Sequence, residues 1–299
     1  MPKKLAGYFP IMATAYRKDG EVDLASMRRL TEFLIENGAQ GMSPNGGDSE
    51  ARYLKEEERM RILDAVMEAN AGRTPVCVGA SAPTTEESAR LCRYAQQVGA
   101  DAVFVMPPAN WKGTLQEPAV SDDEMLAHYE TICEGLDIPL MIHATRAMDV
   151  PFIEKLIERI PNVRYIKEET THGPKLRKYV QMLGDRLTIF GPGVHFPAEL
   201  EWGAKGVMPS CCAPHAHARV FDLWQEGKRD EARREWNRML PLVHWRWRSA
   251  AQEAGKRFLV HMGVFETAYT RPNHGILVLD EADHQEMLRV LADMGGPPY

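Results

Sequence analysis

A lysine at the end of a β-prone run is the residue around which chemistry can be built. The stretch Asn162–Thr171 reads NVRYIKEETT: Val163-Arg164-Tyr165-Ile166 suits a short strand, Lys167 ends it, and Glu168, Glu169, Thr170 and Thr171 follow. Burying an ammonium is costly, so a lysine held inside a fold is driven toward its neutral form. A neutral amine attacks ketones and aldehydes and condenses to an imine. The plain alternative is a strand-end charge that pairs with Glu168 or Glu169, since long charged side chains are mostly exposed. Which reading holds depends on whether the chain builds a pocket around Lys167.

Other residues of suitable type stand at the ends of β-prone runs. His143 closes PLMIHA (139–144), with Arg146 just beyond it. An imidazole moves protons near neutral pH, or sits buried on a backbone hydrogen bond. Arg146 suits bidentate contact with a carboxylate or hydroxyl, or is a solvated or subunit-contact arginine. Gly46-Gly47-Asp48-Ser49-Glu50 forms a short polar loop whose N–H groups suit a carboxylate. Gly191 and Met208 end two later runs. His215 and His217 stand beside Cys211 and Cys212, but a His-x-His pair opening a helix does not share one face; no metal site is expected.

Composition narrows the class. The chain has 299 residues, 44% hydrophobic and 26% charged, with a net charge of −6. A general nucleic-acid binder needs a basic face, so no nucleic-acid partner is expected, and Trp245-Arg246-Trp247-Arg248 is read as helix or subunit packing. No apolar run approaches the ~18 residues of a membrane span, so no membrane partner is expected. MPKKLAGYFP has no apolar stretch of secretory type. The five cysteines show no zinc-type pairing. A cytoplasmic location is the expectation.

The elements that must position these residues alternate. Gly7–Tyr16 suits a first strand; Asp23 caps a helix that Gly38 stops. GMSPNG (41–46) precedes the helix KEEERMRILDAVMEANAG. PVCVGAS (75–81), AVFVMPP (102–108), PLMIHA (139–144), VRYIKEE (163–169), LTIFGPG (187–193) and GVMPSC (206–211) are each followed by a helical pattern. Ser121 and Glu124 make a capping box before one of them. About eight strand–helix units predict an α/β fold, a (β/α)8 TIM barrel, with additional C-terminal helices. Residues 1–227 form the expected barrel and 228–299 a helical extension packed on it. An open dinucleotide-binding sheet is weaker, because no Gly-x-Gly-x-x-Gly follows the first strand. Active sites in barrels gather at the C-terminal strand ends, where the candidates above all stand.

At these residues the chain resembles the dihydrodipicolinate synthase / N-acetylneuraminate lyase family of Schiff-base aldolases and dehydratases, over nearly its whole length. Ile166-Lys167-Glu168 after PNV is the most specific element. The loop ending in Glu50 before LKEEER, GADAVFVMPP, and Gly203-Ala204-Lys205-Gly206-Val207 support it. The resemblance implies that Lys167 forms an imine with a 2-oxo acid, with no cofactor beyond that covalent lysine imine. It also implies a homotetramer or homodimer. Where the family usually carries Gly-Thr-Thr-Gly-Glu, this chain has Gly46-Gly47-Asp48-Ser49-Glu50. Where it has Tyr-Asn after strand five, this chain has His143-Ala144, so His143 is expected to take the tyrosine's acid/base role. The synthase branch's tyrosine pair is replaced by Pro108-Ala109, with Trp111 nearby.

The expectation is a Schiff-base lyase, an aldolase or dehydratase, acting on a hydroxylated 2-oxo acid such as a 2-keto-3-deoxy sugar acid. Lys167 and His143 are the expected catalytic residues; Gly46, Gly47, Asp48, Ser49, Arg146, Gly191 and Met208 are expected to bind substrate. Lys167 would need a depressed pKa, which burial can supply. Asp48 would repel a carboxylate unless it points away, is protonated or binds a hydroxyl. The alternatives are a divergent pyruvate-condensing synthase of the dihydrodipicolinate synthase type, or a non-catalytic 2-oxo-acid-binding relative.

Overall fold

The computed structural model describes residues 3–107, 120–144, 148–170, 173–248, 251–271 and 279–299. Among the described residues the seven strands are β1 (Gly7–Tyr8), β2 (Cys77–Gly79), β3 (Ala102–Val105), β4 (Leu140–Ala144), β5 (Val163–Glu168), β6 (Thr188–Gly191) and β7 (Gly206–Val207). The helices are α1 (Leu24–Glu36), α2 (Glu56–Asn70), α3 (Thr85–Gln97), α4 (Asp122–Cys133), α5 (Val150–Arg159), α6 (Gly173–Leu183), α7 (Phe196–Glu201), α8 (Pro214–Gln225), α9 (Arg229–Arg248), α10 (Ala251–His261) and α11 (Glu281–Asp293). The chain divides into two compact units, Met1–Phe9 with Pro75–Pro209, and Pro10–Thr74 with Ser210–Tyr299.

The first unit holds all seven strands in one parallel sheet, ordered β1-β7-β6-β5-β4-β3-β2. From β2 to β7 consecutive strands lie side by side, with helices between them in the chain, as parallel pairing requires, and β1 pairs with β7. β2, β3 and β4 are buried at every position, the signature of a parallel sheet covered on both faces. Phe190 of β6 anchors the middle, with Phe9 edge-on at 5.5 Å and Tyr165 at 6.3 Å. The connecting helices start where side-chain caps place them. Ser121 accepts the Glu124 N–H while Glu124 reaches back, and Asp149 accepts the Phe152 N–H before α5.

The second unit carries α1, α2 and α8 to α11. Asp23 caps α1 as expected, and Gly38, at φ 82°, follows its C-terminus. Two runs read as strands are shorter in fact. The first, expected over Gly7–Tyr16, pairs as a strand only at Gly7–Tyr8, because Pro10 offers no N–H to a ladder. The run 41–46 is reduced to isolated bridge residues at Met42 and Ser43, Ser43 pairing with Ile11, with Pro44 next and Asn45 at φ 60° turning the chain. Among the described residues the tail beyond Lys228 carries α9, α10 and α11, helical as its periodicity predicts.

Gly206 shows how tightly the first unit is closed around Phe190. A Cβ there would lie 2.4 Å from the Phe190 ring and 2.5 Å from the Gly7 carbonyl oxygen. Gly206→Ala should therefore destabilise the protein by about 1–3 kcal/mol, read from the shift of the chemical denaturation midpoint.

Candidate active site

β5 ends in two buried charged residues, Lys167 at 4% exposure and Glu168 at 1%. Side chains alternate along a strand, so Lys167 and the following Glu169 share one face while Glu168 faces the other. The parallel register sets His143 of β4 beside Lys167 on one side and Phe190 of β6 on the other. Lys167 Nζ lies 2.5 Å from Glu169 Oε2, and His143 Nε2 lies 3.1 Å from the same oxygen. One carboxylate oxygen thus bridges an amine and an imidazole. Phe104 of β3 packs against the His143 ring at 6.1 Å.

The electrostatics follow from burial and from this sharing. Burial alone would raise the Glu169 carboxyl, but the Lys167 ammonium and the neighbouring His143 imidazole outweigh it and hold it at about 2. Burial, and then the charge of Lys167, lowers His143 below its ordinary value against the pull of Glu169. At neutral pH the carboxylate is charged and the imidazole neutral. Among the described residues neither His143 ring nitrogen makes a hydrogen bond of good geometry: Nε2 stands at ion-pair distance from Glu169 Oε2, and Nδ1 faces no partner. A buried ring nitrogen in that state is placed to bond a ligand or water.

Gly191 ends β6, and its carbonyl accepts the Met208 N–H at 3.0 Å just after β7. A Cβ on Gly191 would lie 2.1 Å from Glu199 Oε2. Arg146, Pro108, Ala109, Trp111 and Thr171 lie outside the described residues.

In the second unit, the loop 46–50 binds itself. Gly46 N–H donates to Ser49 Oγ at 2.9 Å, and Ser49 Oγ donates to the Met12 carbonyl at 2.5 Å. The Gly46 donor and the Ser49 hydroxyl are therefore engaged inside the protein. Asp48 does not stand alone: Arg246 Nη2 of α9 lies 2.5 Å from its Oδ2. Glu50, in the left-handed region at φ 57°, pairs with Lys256 of α10, both fully buried. Burial raises Glu50 and lowers Lys256 against their mutual attraction. Around Gly47 a Cβ would meet nothing within 4 Å, so the absent threonine leaves space rather than a filled position. His217 is buried, with Nδ1 2.9 Å from the Ala213 carbonyl oxygen, and burial lowers it to about 4. Among the described residues no group of three His, Cys, Asp or Glu side chains is placed to hold a metal ion, and no helix is long and apolar enough to cross a membrane.

Sequence reasoning named Glu169 only as one of two partners in the strand-end pairing, which is the pairing the structure shows, and gave it no functional role; strand alternation from Lys167 would have chosen it over Glu168. It gave none to Arg246 and Lys256, for which no local pattern exists, because their partners lie about two hundred residues away.

A lysine, a carboxylate and an imidazole thus stand together at adjoining ends of parallel strands in a fold of the (β/α)8 barrel class with additional C-terminal helices. The dihydrodipicolinate synthetase family matches residues 4–293, and the chain belongs to it. It is 30% identical over 294 residues to the L-2-keto-3-deoxyarabonate dehydratase of Azospirillum brasilense, covering 95% of this chain and 93% of that one. It is also 30% identical over 236 residues to a 4-hydroxy-tetrahydrodipicolinate synthase of Pelobacter propionicus, covering 76% of this chain and 78% of the other. The crystal structure of dihydrodipicolinate synthase from Aquifex aeolicus shares the fold, with a TM-score of 0.88 at 22% identity, over 98% of this chain and 99% of that one.

Two outcomes follow. Glu169 is held below its unfolded value of about 4.3. Its ionisation therefore stabilises the fold above that value, a contribution lost as pH falls toward 2. Glu169→Gln should lower stability at pH 7 by more than about 1 kcal/mol, and the gap in denaturation midpoints should narrow as pH drops below about 4. Gly47, exposed and in open space, should accept Gly47→Thr with a stability change within about 0.5 kcal/mol.

Proposed function

We propose that this protein is a class I lyase that forms an imine through Lys167 with a hydroxylated 2-oxo acid of the 2-keto-3-deoxy sugar acid type and expels the C4 hydroxyl as water. The observation that carries the reading is the buried Lys167 Nζ, 2.5 Å from Glu169 Oε2. The whole-chain similarity to a dehydratase favours loss of water over C3–C4 cleavage.

The chemistry uses groups already in place. A paired ammonium must give up a proton before its lone pair can attack, and Glu169 is the acceptor in contact with it. The amine adds to C2, water leaves, and the iminium draws electrons from C3. A base removes a C3 proton to give the enamine. The enamine expels the C4 oxygen, which departs as water with one proton from an acid. His143, neutral at pH 7 and touching the Glu169 carboxylate, trades protons with it, so one can take the C3 proton while the other returns one to the leaving oxygen. Hydrolysis of the imine restores Lys167. The net change is loss of one water.

Incubation with a 2-keto-3-deoxypentonate, followed by NMR, should show a product lighter by one water and no pyruvate. Release of pyruvate would replace dehydration with aldol cleavage. Borohydride added during turnover should fix a mass increment on the Lys167 peptide; failure with every 2-oxo acid tested would end the imine reading. Removing a proton-transfer group costs about 10²–10⁴ in rate, so Glu169→Gln and His143→Phe should each lower kcat by at least about 10². An unchanged kcat for His143→Phe would remove the imidazole from the mechanism.

A further inference from the structure

The loop 46–50 of the second unit has its carbonyl groups engaged and two of its donors free. The Gly46 carbonyl accepts the Ser49 N–H at 3.2 Å, and the Gly47 carbonyl accepts the Glu50 N–H at 3.1 Å. The Ser49 carbonyl accepts the Thr14 hydroxyl at 2.5 Å. Among the described residues the N–H groups of Gly47 and Asp48 have no partner. Successive free N–H groups in a turn suit an anion, and Gly47 has no side chain to cover them. The side chain of Asp48, however, carries a charge of the wrong sign for a carboxylate ligand, and like charges set side by side cost affinity.

α9 supplies the remedy. The Arg246 side chain is 8% exposed and that of Asp48 28%, with Nη2 2.5 Å from Oδ2. A guanidinium keeps its charge at every working pH, and a buried charge is costly unless it is paired. Among the described residues Asp48 is the one carboxylate paired with Arg246. Arg246 Nε is buried with no hydrogen-bond partner. Its neighbours on that side carry no charge. A Cβ on Gly255 of α10 would lie 3.8 Å from Nε and 3.5 Å from Cys212 Sγ, and burial raises the Cys212 thiol, so it stays protonated at neutral pH. Each member of the pair is thus the other's counter-ion. The plain alternative is a strut that ties α9 to the loop.

We propose that Arg246 is a positioning and specificity residue: by neutralising the Asp48 carboxylate, it makes the loop 46–50 receptive to the carboxylate of a 2-oxo acid. Asp48 supplies no attraction of its own, and without the guanidinium the loop would meet its ligand with an uncompensated negative charge. This rests on the imine chemistry proposed for Lys167, which supplies the readout.

The test measures the ketone concentration that gives half-maximal borohydride labelling of Lys167, for pyruvate and for its uncharged methyl ester. Arg246→Gln should raise that concentration for pyruvate by about tenfold or more, the mark of like charges brought together. The ester has no charge to repel and should stay within about twofold of the wild type. In turnover of a 2-keto-3-deoxy sugar acid the loss should fall on KM more than on kcat. Adding Asp48→Asn to Arg246→Gln removes the stranded charge and should bring pyruvate back to within about threefold of the wild type. Arg246→Lys keeps the charge but not the planar fork. It should lose about threefold for pyruvate alone, and it covers the case in which the glutamine variant does not fold. A strut would weaken both ketones alike and would not be repaired by Asp48→Asn. Equal losses for pyruvate and the ester, no loss in Arg246→Gln, or a double variant as poor as the single one overturns the role of Arg246. Absent labelling in the wild type overturns the imine reading itself, and this inference with it.

Discussion

The ion pair between Lys167 and Glu169 is the interaction on which the chemistry proposed for the first unit depends. Taking an ammonium out of water costs several kcal/mol, and the carboxylate adds its own penalty. At an effective dielectric of about 20, two unit charges at the observed separation attract by roughly 6–7 kcal/mol. Attraction and desolvation are therefore of one order, and the pair adds little net stability. Removing one partner, in contrast, strands the other as an uncompensated buried charge. The pair is thus near neutral for stability and stands at the position where the proposed mechanism requires proton transfer.

What holds that pair is the parallel register. β4 and β5 align His143 with Lys167, and β5 and β6 align Lys167 with Phe190. A slip of one residue would turn every side chain of β5 to the other face, exchanging Lys167 for Glu168. Two carboxylates follow the lysine with different duties. Glu169 shares the lysine's face and its ion pair. Glu168 faces away, held by Thr170 and close to Glu199.

Much of this was legible in the sequence. Short apolar runs, each trailed by a periodic helix, give the parallel sheet and the barrel class, and helix starts such as Ser121 and Asp23 are marked by local capping chemistry. Lys167 and His143 stand out because charged or titratable residues closing a buried strand are uncommon. Strand lengths were less legible: Pro10 and Pro44 lie inside apolar runs, and pairing stops near them. Asp48 looked like an unwanted charge in the sequence. Its partner Arg246 lies on a distant helix, in a Trp-Arg repeat that reads equally as packing. Ser49 looked available, yet its hydroxyl closes its own loop. Local patterns reveal elements and caps, whereas long-range ion pairs emerge only when the fold brings their partners together.

The account stands or falls on proton transfer between Lys167 and Glu169, and single-turnover imine formation measures it directly. Stopped-flow or quenched-borohydride rates with pyruvate should show that Glu169→Gln forms the Lys167 imine at least about 10²-fold more slowly than the wild type at pH 7. Raising the pH should narrow that gap, as bulk base takes over the proton. Equal rates in the two proteins across the pH range would show that Lys167 is activated without Glu169 and would contradict the account.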